Sequence, residues 1–172
     1  VYYHVWDNYP YPTFNKKFYD STDVIVAISK VTDDIVKTVS PDVESHYIPH
    51  AVNIEIFKRI GEDDIEKFRE NVLKDEDEDS KKMIFFWNNR NARRKQTGTL
   101  IFWFKEFLDI VGHENAMLLM HTEPKDPHGQ DIHAILDSLG LADGQVMLST
   151  SKVNPEHLSM IYNMADCTIN IS

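Results

Sequence analysis

The chain has 172 residues, of which 42% are hydrophobic and 27% charged, with a formal net charge of −10. That length predicts one domain or parts of two, and the composition excludes disorder throughout the chain. No apolar run approaches the roughly 18–20 residues of a membrane span, no signal peptide opens the chain, and the acidic balance argues against a nucleic-acid partner while leaving room for a local basic pocket.

In chain order, short β-rich runs alternate with helical patterns. Strands are predicted over 1–6, 24–29, 46–49, 83–87, 116–122, 146–149 and 167–171, each short, apolar and often β-branched or aromatic. Helices are predicted over 15–20, 32–39, 63–73, 99–111, 131–139 and 155–164. The fourth carries a 3.6-period stripe of Leu100, Ile101, Phe104, Phe107, Leu108 and Val111, with Gly112 as its stop. Asn154-Pro155 supplies a cap and a first turn for the last helix. Strands alternating with helices imply βαβ units and parallel sheets, so the fold class is α/β. The chain opens and stops inside apolar strand patterns and lacks a starting Met, so a fragment of a longer protein, truncated at both ends, is expected. The single cysteine, Cys167, excludes an intrachain disulfide, a Cys-based metal site and a redox pair, and fits a reducing, cytoplasmic setting.

Seven strands are many for one sheet in a chain of this length. The long stretch between the third and fourth strands holds one helix and the run Lys74-Asp75-Glu76-Asp77-Glu78-Asp79, which reads as a solvated loop. A domain boundary is therefore placed near residues 51–60. Residues 1 to about 50 should form a partial parallel sheet beside, not within, the sheet of 83–172. Exposed sheet edges predict self-association into a homo-oligomer.

The strongest chemical signal is the segment from Trp87 to Gly98, which includes Arg90, Arg93, Arg94 and Lys95: four cations within six residues of an acidic protein. It lies between a strand and a helix, at the carboxyl edge where parallel sheets bind ligands, and the helix N-terminus points there too. Arg would neutralise phosphate bidentately and Lys as a point charge. The other reading is a solvated basic turn that balances the acidic run. The glycines and Gly-Lys-Ser/Thr ending of a P-loop are absent.

Several segments together resemble retaining glycosyltransferases of the two-domain GT-B fold (glycosyl transferases group 1). Tyr47-Ile48-Pro49-His50-Ala51-Val52-Asn53 resembles the family's Ile-Pro-Asn/His-Gly-Val-Asp interdomain segment, with Ala51 for Gly and Asn53 for Asp. Asn89-Arg90 through Lys95 resembles the Gly-Arg-x-x-x-x-Lys-Gly turn that binds the donor pyrophosphate. Glu156-His157-Leu158 through Tyr162 and Ala165-Asp166, then Ile169 to Ser172, resembles the Glu-Leu-x-x-x-Tyr-x-x-Ala-Asp-strand-Pro-Ser segment, and Asp23-Val24-Ile25-Val26 through Ser29 an Asp-x-Ile-Val-Ser strand. The family's Glu-Gly-Phe-Gly-x-x-x-x-Glu motif is not in the chain.

The resemblance implies two Rossmann-like parts. Residues 1–55 would be the C-terminal part of the acceptor side, 56–82 a linker with a helix and acidic loop, and 83–172 the first half of the nucleotide-sugar (donor) side. It implies a hexosyltransferase parent that moves a sugar from a nucleotide-diphosphate donor to a glycan, lipid or protein hydroxyl, and a fragment that is inactive without the acidic motif. Peripheral membrane contact is a further expectation for the parent. No cofactor is implied, because the nucleotide-sugar is itself the substrate. Arg90 and Lys95, with Arg93 and Arg94 as auxiliaries, would bind the donor diphosphate by electrostatic preorganisation. Lys152, Val153, Thr122 and Glu123 would bind the nucleoside, and Asp7 would serve catalysis near the acceptor. Each has a plainer reading: Asp7 as a turn cap, His50 as a hydrogen-bonded linker residue, Phe102, Trp103, Phe104 and Phe107 as helix packing. His121, His128 and His133 lie within thirteen residues but fit no standard zinc spacing, so no metal is expected. The alternative function is a non-catalytic nucleotide- or phosphosugar-binding α/β domain.

Overall fold

The computed structural model describes residues 1–73, 82–142 and 144–171. The chain divides into two compact units, Val1–Asn53 and Ile54–Ser172, with separate all-parallel sheets of three and four strands. The expected acidic loop over Lys74–Asp79 lies outside the described residues.

The first unit runs β1 (Tyr2–His4), a short 3-10 turn (Thr13–Asn15), α1 (Lys16–Asp20), β2 (Val24–Ala27), α2 (Lys30–Val39) and β3 (Glu44–Tyr47), in the sheet order β1-β2-β3. Its core is Tyr19, Ile25, Ile35, Val36 and Val39, with Trp6 and Val43 packed against it. The first strand is shorter than its apolar run. After His4, the next ladder donor is diverted: Trp6 N–H donates to Thr32 Oγ1 at 3.4 Å, and Thr32 Oγ1 donates back to Trp6 O at 2.8 Å. Helix α2 starts two residues earlier than its periodicity predicts because Ser29 caps it, accepting from Thr32 N at 3.0 Å. The third strand is shifted toward the N-terminus; Pro49 has no N–H to extend the ladder.

The second unit runs α3 (Glu62–Leu73), β4 (Met83–Asn88), α4 (Thr97–Val111), β5 (Ala116–His121), α5 (Ile132–Leu139), β6 (Val146–Ser149), α6 (Pro155–Met164) and β7 (Cys167–Thr168), in the sheet order β6-β5-β4-β7. Side chains alternate across the sheet. Trp87, Leu118 and Met120 face a core shared with Leu100, Ile101, Phe104 and Leu108 of α4 and Ile132 and Leu136 of α5. Ile84, Phe86, Met117 and Leu119 face the opposite core, with Ile161 and Met164 of α6 and Ile65 and Phe68 of α3. Burial on both faces is why β4 and β5 are unbroken apolar runs rather than alternating ones.

Residues 56–60 are tied to α6. Ser159 Oγ donates to Ile56 O at 2.7 Å, Asn163 Nδ2 donates to Lys58 O at 3.0 Å, and Ile60 N donates to Asn163 Oδ1 at 3.0 Å. The last strand pairs with β4 and is shorter than its run; Asp166 opens it by accepting from Ile84 N at 2.7 Å. Among the described residues no helix is long and apolar enough to cross a membrane.

Candidate functional site

Because β4, β5 and β6 are parallel, the segments that follow them leave the same edge of the sheet: 89–96 after β4, 122–131 after β5 and 150–154 after β6. The basic turn is built from short-range bonds. Ala92 N donates to Arg90 O at 2.8 Å, Lys95 N to Ala92 O at 2.8 Å, and Gln96 N to Arg93 O at 3.1 Å, which closes a 3-10 turn over Arg93–Lys95. Gln96 then adopts φ 49° and ψ 42°, and its carbonyl accepts from Leu100 N at 3.0 Å as α4 begins. This left-handed position is where the resembled turn carries glycine, which meets no Cβ penalty there.

The turn is fastened to the segment after β5. Asn91 is fully buried. Its Nδ2 donates to Gln130 O at 2.7 Å and to Pro124 O at 3.3 Å, and its Oδ1 accepts from Gln130 N at 3.3 Å. Arg93 N donates to His128 O at 3.1 Å. A Cβ on Gly129 would lie 2.0 Å from Asn91 O, so only glycine lets the two backbones approach this closely.

Arg90 reaches across the same seam. Its Nε donates to Asp126 Oδ2 at 2.6 Å and its Nη2 to Asp126 Oδ1 at 3.2 Å, the fork that planar guanidinium forms with carboxylate. The Arg90 side chain is 63% exposed, the Asp126 side chain 10%. Asp126 is also held by His128 N, which donates to Oδ1 at 2.8 Å. Hydrogen bonding from Arg90, then from the His128 amide, holds the Asp126 carboxyl below its ordinary range, and the pair raises Arg90 in turn. At the start of α4, Gly98 N donates to Gln130 Oε1 at 2.7 Å.

Arg93 and Arg94 are exposed and Lys95 is half-buried on the same turn. Lys152 is exposed and Val153 half-buried in the segment after β6. Glu123 is exposed, and its Oε1 accepts from Lys125 N at 3.2 Å. Thr122 is buried; its N–H donates to Ser149 O at 3.1 Å, while its hydroxyl, like the Thr97 hydroxyl and the Trp87 indole N–H, meets no hydrogen-bond partner among the described residues. Asp7 is exposed after β1, in the first unit, where His50 stacks on Tyr3 with ring centroids 5.5 Å apart.

Sequence reasoning gave Asn91, Asp126 and Gln130 no role at this edge, and it assigned none to the His121 side chain beyond the rejected metal reading. His121 closes β5 and its Nδ1 is 2.9 Å from Ser149 Oγ; burial moves the imidazole below its ordinary range, opposed by hydrogen bonding at Ser149 and helped by a smaller push from nearby His157. Among the described residues no three His, Cys, Asp or Glu side chains gather as a metal site. Tyr162 of the α6 segment accepts from Asn88 Nδ2 at 3.1 Å, which ties that helix to the carboxyl end of β4.

No family of sequences matches the chain, and no characterised protein matches it by sequence. Solved structures do. The N-terminal domain of Candida albicans trehalose-6-phosphate phosphatase superposes with a TM-score of 0.61 at 15% identity, over 88% of this chain and 38% of that one. An E. coli trehalose-6-phosphate structure bound with UDP-2-fluoro glucose gives 0.62 at 9%, over 92% and 42%. The α,α-trehalose 6-phosphate synthase of Burkholderia multivorans gives 0.60 at 14%, over 89% and 39%. The chain thus spans about two fifths of the length of these structures. At such identities the likeness speaks to fold, and the fold it shows is α/β with parallel sheets, of the GT-B glycosyltransferase kind.

Proposed function

We propose that these residues bind the nucleotide-sugar donor of a retaining hexosyltransferase, which passes a sugar to a hydroxyl acceptor. The observation that carries the reading is the position of the four-cation turn: it leaves the carboxyl end of β4 and opens α4 in a parallel sheet. Departure of a nucleoside diphosphate develops negative charge, and fixed cations beside a helix N-terminus stabilise it without reorganising. In this reading Arg90 and Lys95 hold the diphosphate, with Arg93 and Arg94 beside them. Lys152, Val153 and Glu123 line the nucleoside end of the same edge, and Thr122 supports it from below. Asp7 serves the acceptor side from the first unit. The acidic Glu-Gly-Phe-Gly motif is not among the 172 residues, so donor binding rather than complete transfer is assigned to them.

Two findings support the proposal beyond the turn itself. The fold is shared with trehalose-6-phosphate enzymes, and one of those structures is bound with UDP-2-fluoro glucose. A saturation titration with UDP, GDP and ADP tests it: one nucleoside diphosphate should bind and show a salt-dependent affinity. Absence of binding by all three would overturn it.

A further inference from the structure

Two of the groups that a diphosphate would use at this turn are already occupied, and both occupants come from one segment. The Arg90 guanidinium is taken by the Asp126 carboxylate, and the Gly98 N–H, at the first turn of α4, is taken by Gln130 Oε1. A carboxylate on an arginine and an amide oxygen on a helix N-terminal N–H are the contacts that anion oxygens make in such sites. We infer that the 124–131 segment is a built-in competitor for the anion site, so that a diphosphate binds by exchange with Asp126 and Gln130. This rests on the donor-site reading above and adds to it how that site selects its ligand.

The exchange runs through side chains rather than through the backbone. Asn91 fixes the segment at Pro124 and Gln130, Arg93 N fixes it at His128 O, and Gly129 leaves no slack against Asn91. Asp126 is largely buried and tethered by His128 N, whereas the Arg90 side chain is mostly exposed. Arg90 is therefore the partner that moves, leaving Asp126 behind, and the exposed Gln130 side chain swings off Gly98. A carboxylate offers a single negative charge. A diphosphate offers more, and Arg93, Arg94 and Lys95 follow Arg90 in the same turn. Monoanions consequently gain little by displacing Asp126, while a polyanion gains from several cations at once. The contact screens out small acids and admits diphosphates.

Isothermal titration of the full chain with UDP tests this on four proteins: the parent, Asp126→Asn, Gln130→Ala and Arg90→Ala. Asn at 126 keeps the size of the side chain and can still accept from His128 N–H. The Asn variant should bind UDP roughly two- to fivefold tighter, the range of affinity an exposed ion pair spans. Gln130→Ala, which changes no charge, should also bind tighter, and Arg90→Ala should bind more weakly than the parent. If Arg90→Ala weakens binding while Asp126→Asn leaves it unchanged or weakens it too, Asp126 positions Arg90 instead of competing with the ligand, and the inference falls. A gain confined to Asp126→Asn is a general charge effect and also overturns it. Equal UDP affinity for the parent and Arg90→Ala overturns the donor-site reading itself, and the inference with it.

Discussion

Asn91 and Gln130 are bonded in both directions: the Asn91 amide donates to Gln130 O at 2.7 Å, and its oxygen accepts from Gln130 N at 3.3 Å. One fully buried side chain thereby satisfies the backbone of a segment that starts from a different strand. Replacing Asn91 with Ala leaves those backbone groups without their partner, and an unsatisfied buried polar group costs about 1–3 kcal/mol. Asn91→Ala should lower the urea-unfolding free energy of the chain by about 2–3 kcal/mol for that reason. A loss below about 0.5 kcal/mol, the level of ordinary surface substitutions, would show that the seam is not held by this residue.

Gln96 offers the opposite case. Its φ of 49° is the chain's one positive φ outside glycine among the described residues. A non-glycine residue there carries a steric penalty of about 1–2 kcal/mol, partly offset by the extra freedom a glycine gives the unfolded chain. Gln96→Gly should therefore stabilise the protein by about 0.5–1 kcal/mol in chemical denaturation. A destabilised variant would mean that the Gln96 side chain makes up for its backbone strain.

Thr97 is buried and its hydroxyl has no hydrogen-bond partner. Valine has nearly the same shape and removes the unsatisfied group, so Thr97→Val should raise stability by about 1 kcal/mol. If stability falls instead, the hydroxyl is hydrogen-bonded in solution.

These three residues also show where the sequence was legible. Among the described residues the seven strands and six α-helices were readable because their signals are local: apolar runs buried on both faces for β4 and β5, a 3.6-period stripe for α4, an Asn-Pro start for α6. The ends of elements were less so. Helix α2 reaches back to Lys30 because Ser29 caps it, and β1 stops early because a Thr32 hydroxyl takes its next donor. The basic turn was visible because four cations stand together in an acidic chain. Its partners were not, since Asp126 and Gln130 reach it across more than thirty residues through contacts that leave no periodic trace. The left-handed Gln96 was marked only by the glycine that the resembled turn carries at this place, since glutamine itself is not a residue type that prefers that conformation.

Two histidines predict a pH dependence. Burial pushes His4 and His121 below the ordinary imidazole value; His4 sits 2.7 Å from Tyr19 Oη, and His121 is pushed further by His157. For each, the unfolded state takes up a proton at a higher pH than the folded state does. Stability should thus be unaffected by them above about pH 6.5 and should fall as pH drops below it. Denaturant midpoints measured from pH 7.5 to 5 should decline, and replacing both with Gln should flatten the decline. An unchanged slope in the double variant would remove these residues as its source.

The central claim is that the turn after β4 holds a nucleoside diphosphate. Calorimetric titration of UDP, GDP and ADP into the parent and into an Arg90→Ala, Lys95→Ala double variant tests it most directly. The account predicts that the nucleotide the parent binds will bind the double variant at least about tenfold more weakly, the loss expected when charge-assisted hydrogen bonds to phosphate are removed. Equal affinity of the two proteins for that nucleotide would contradict it.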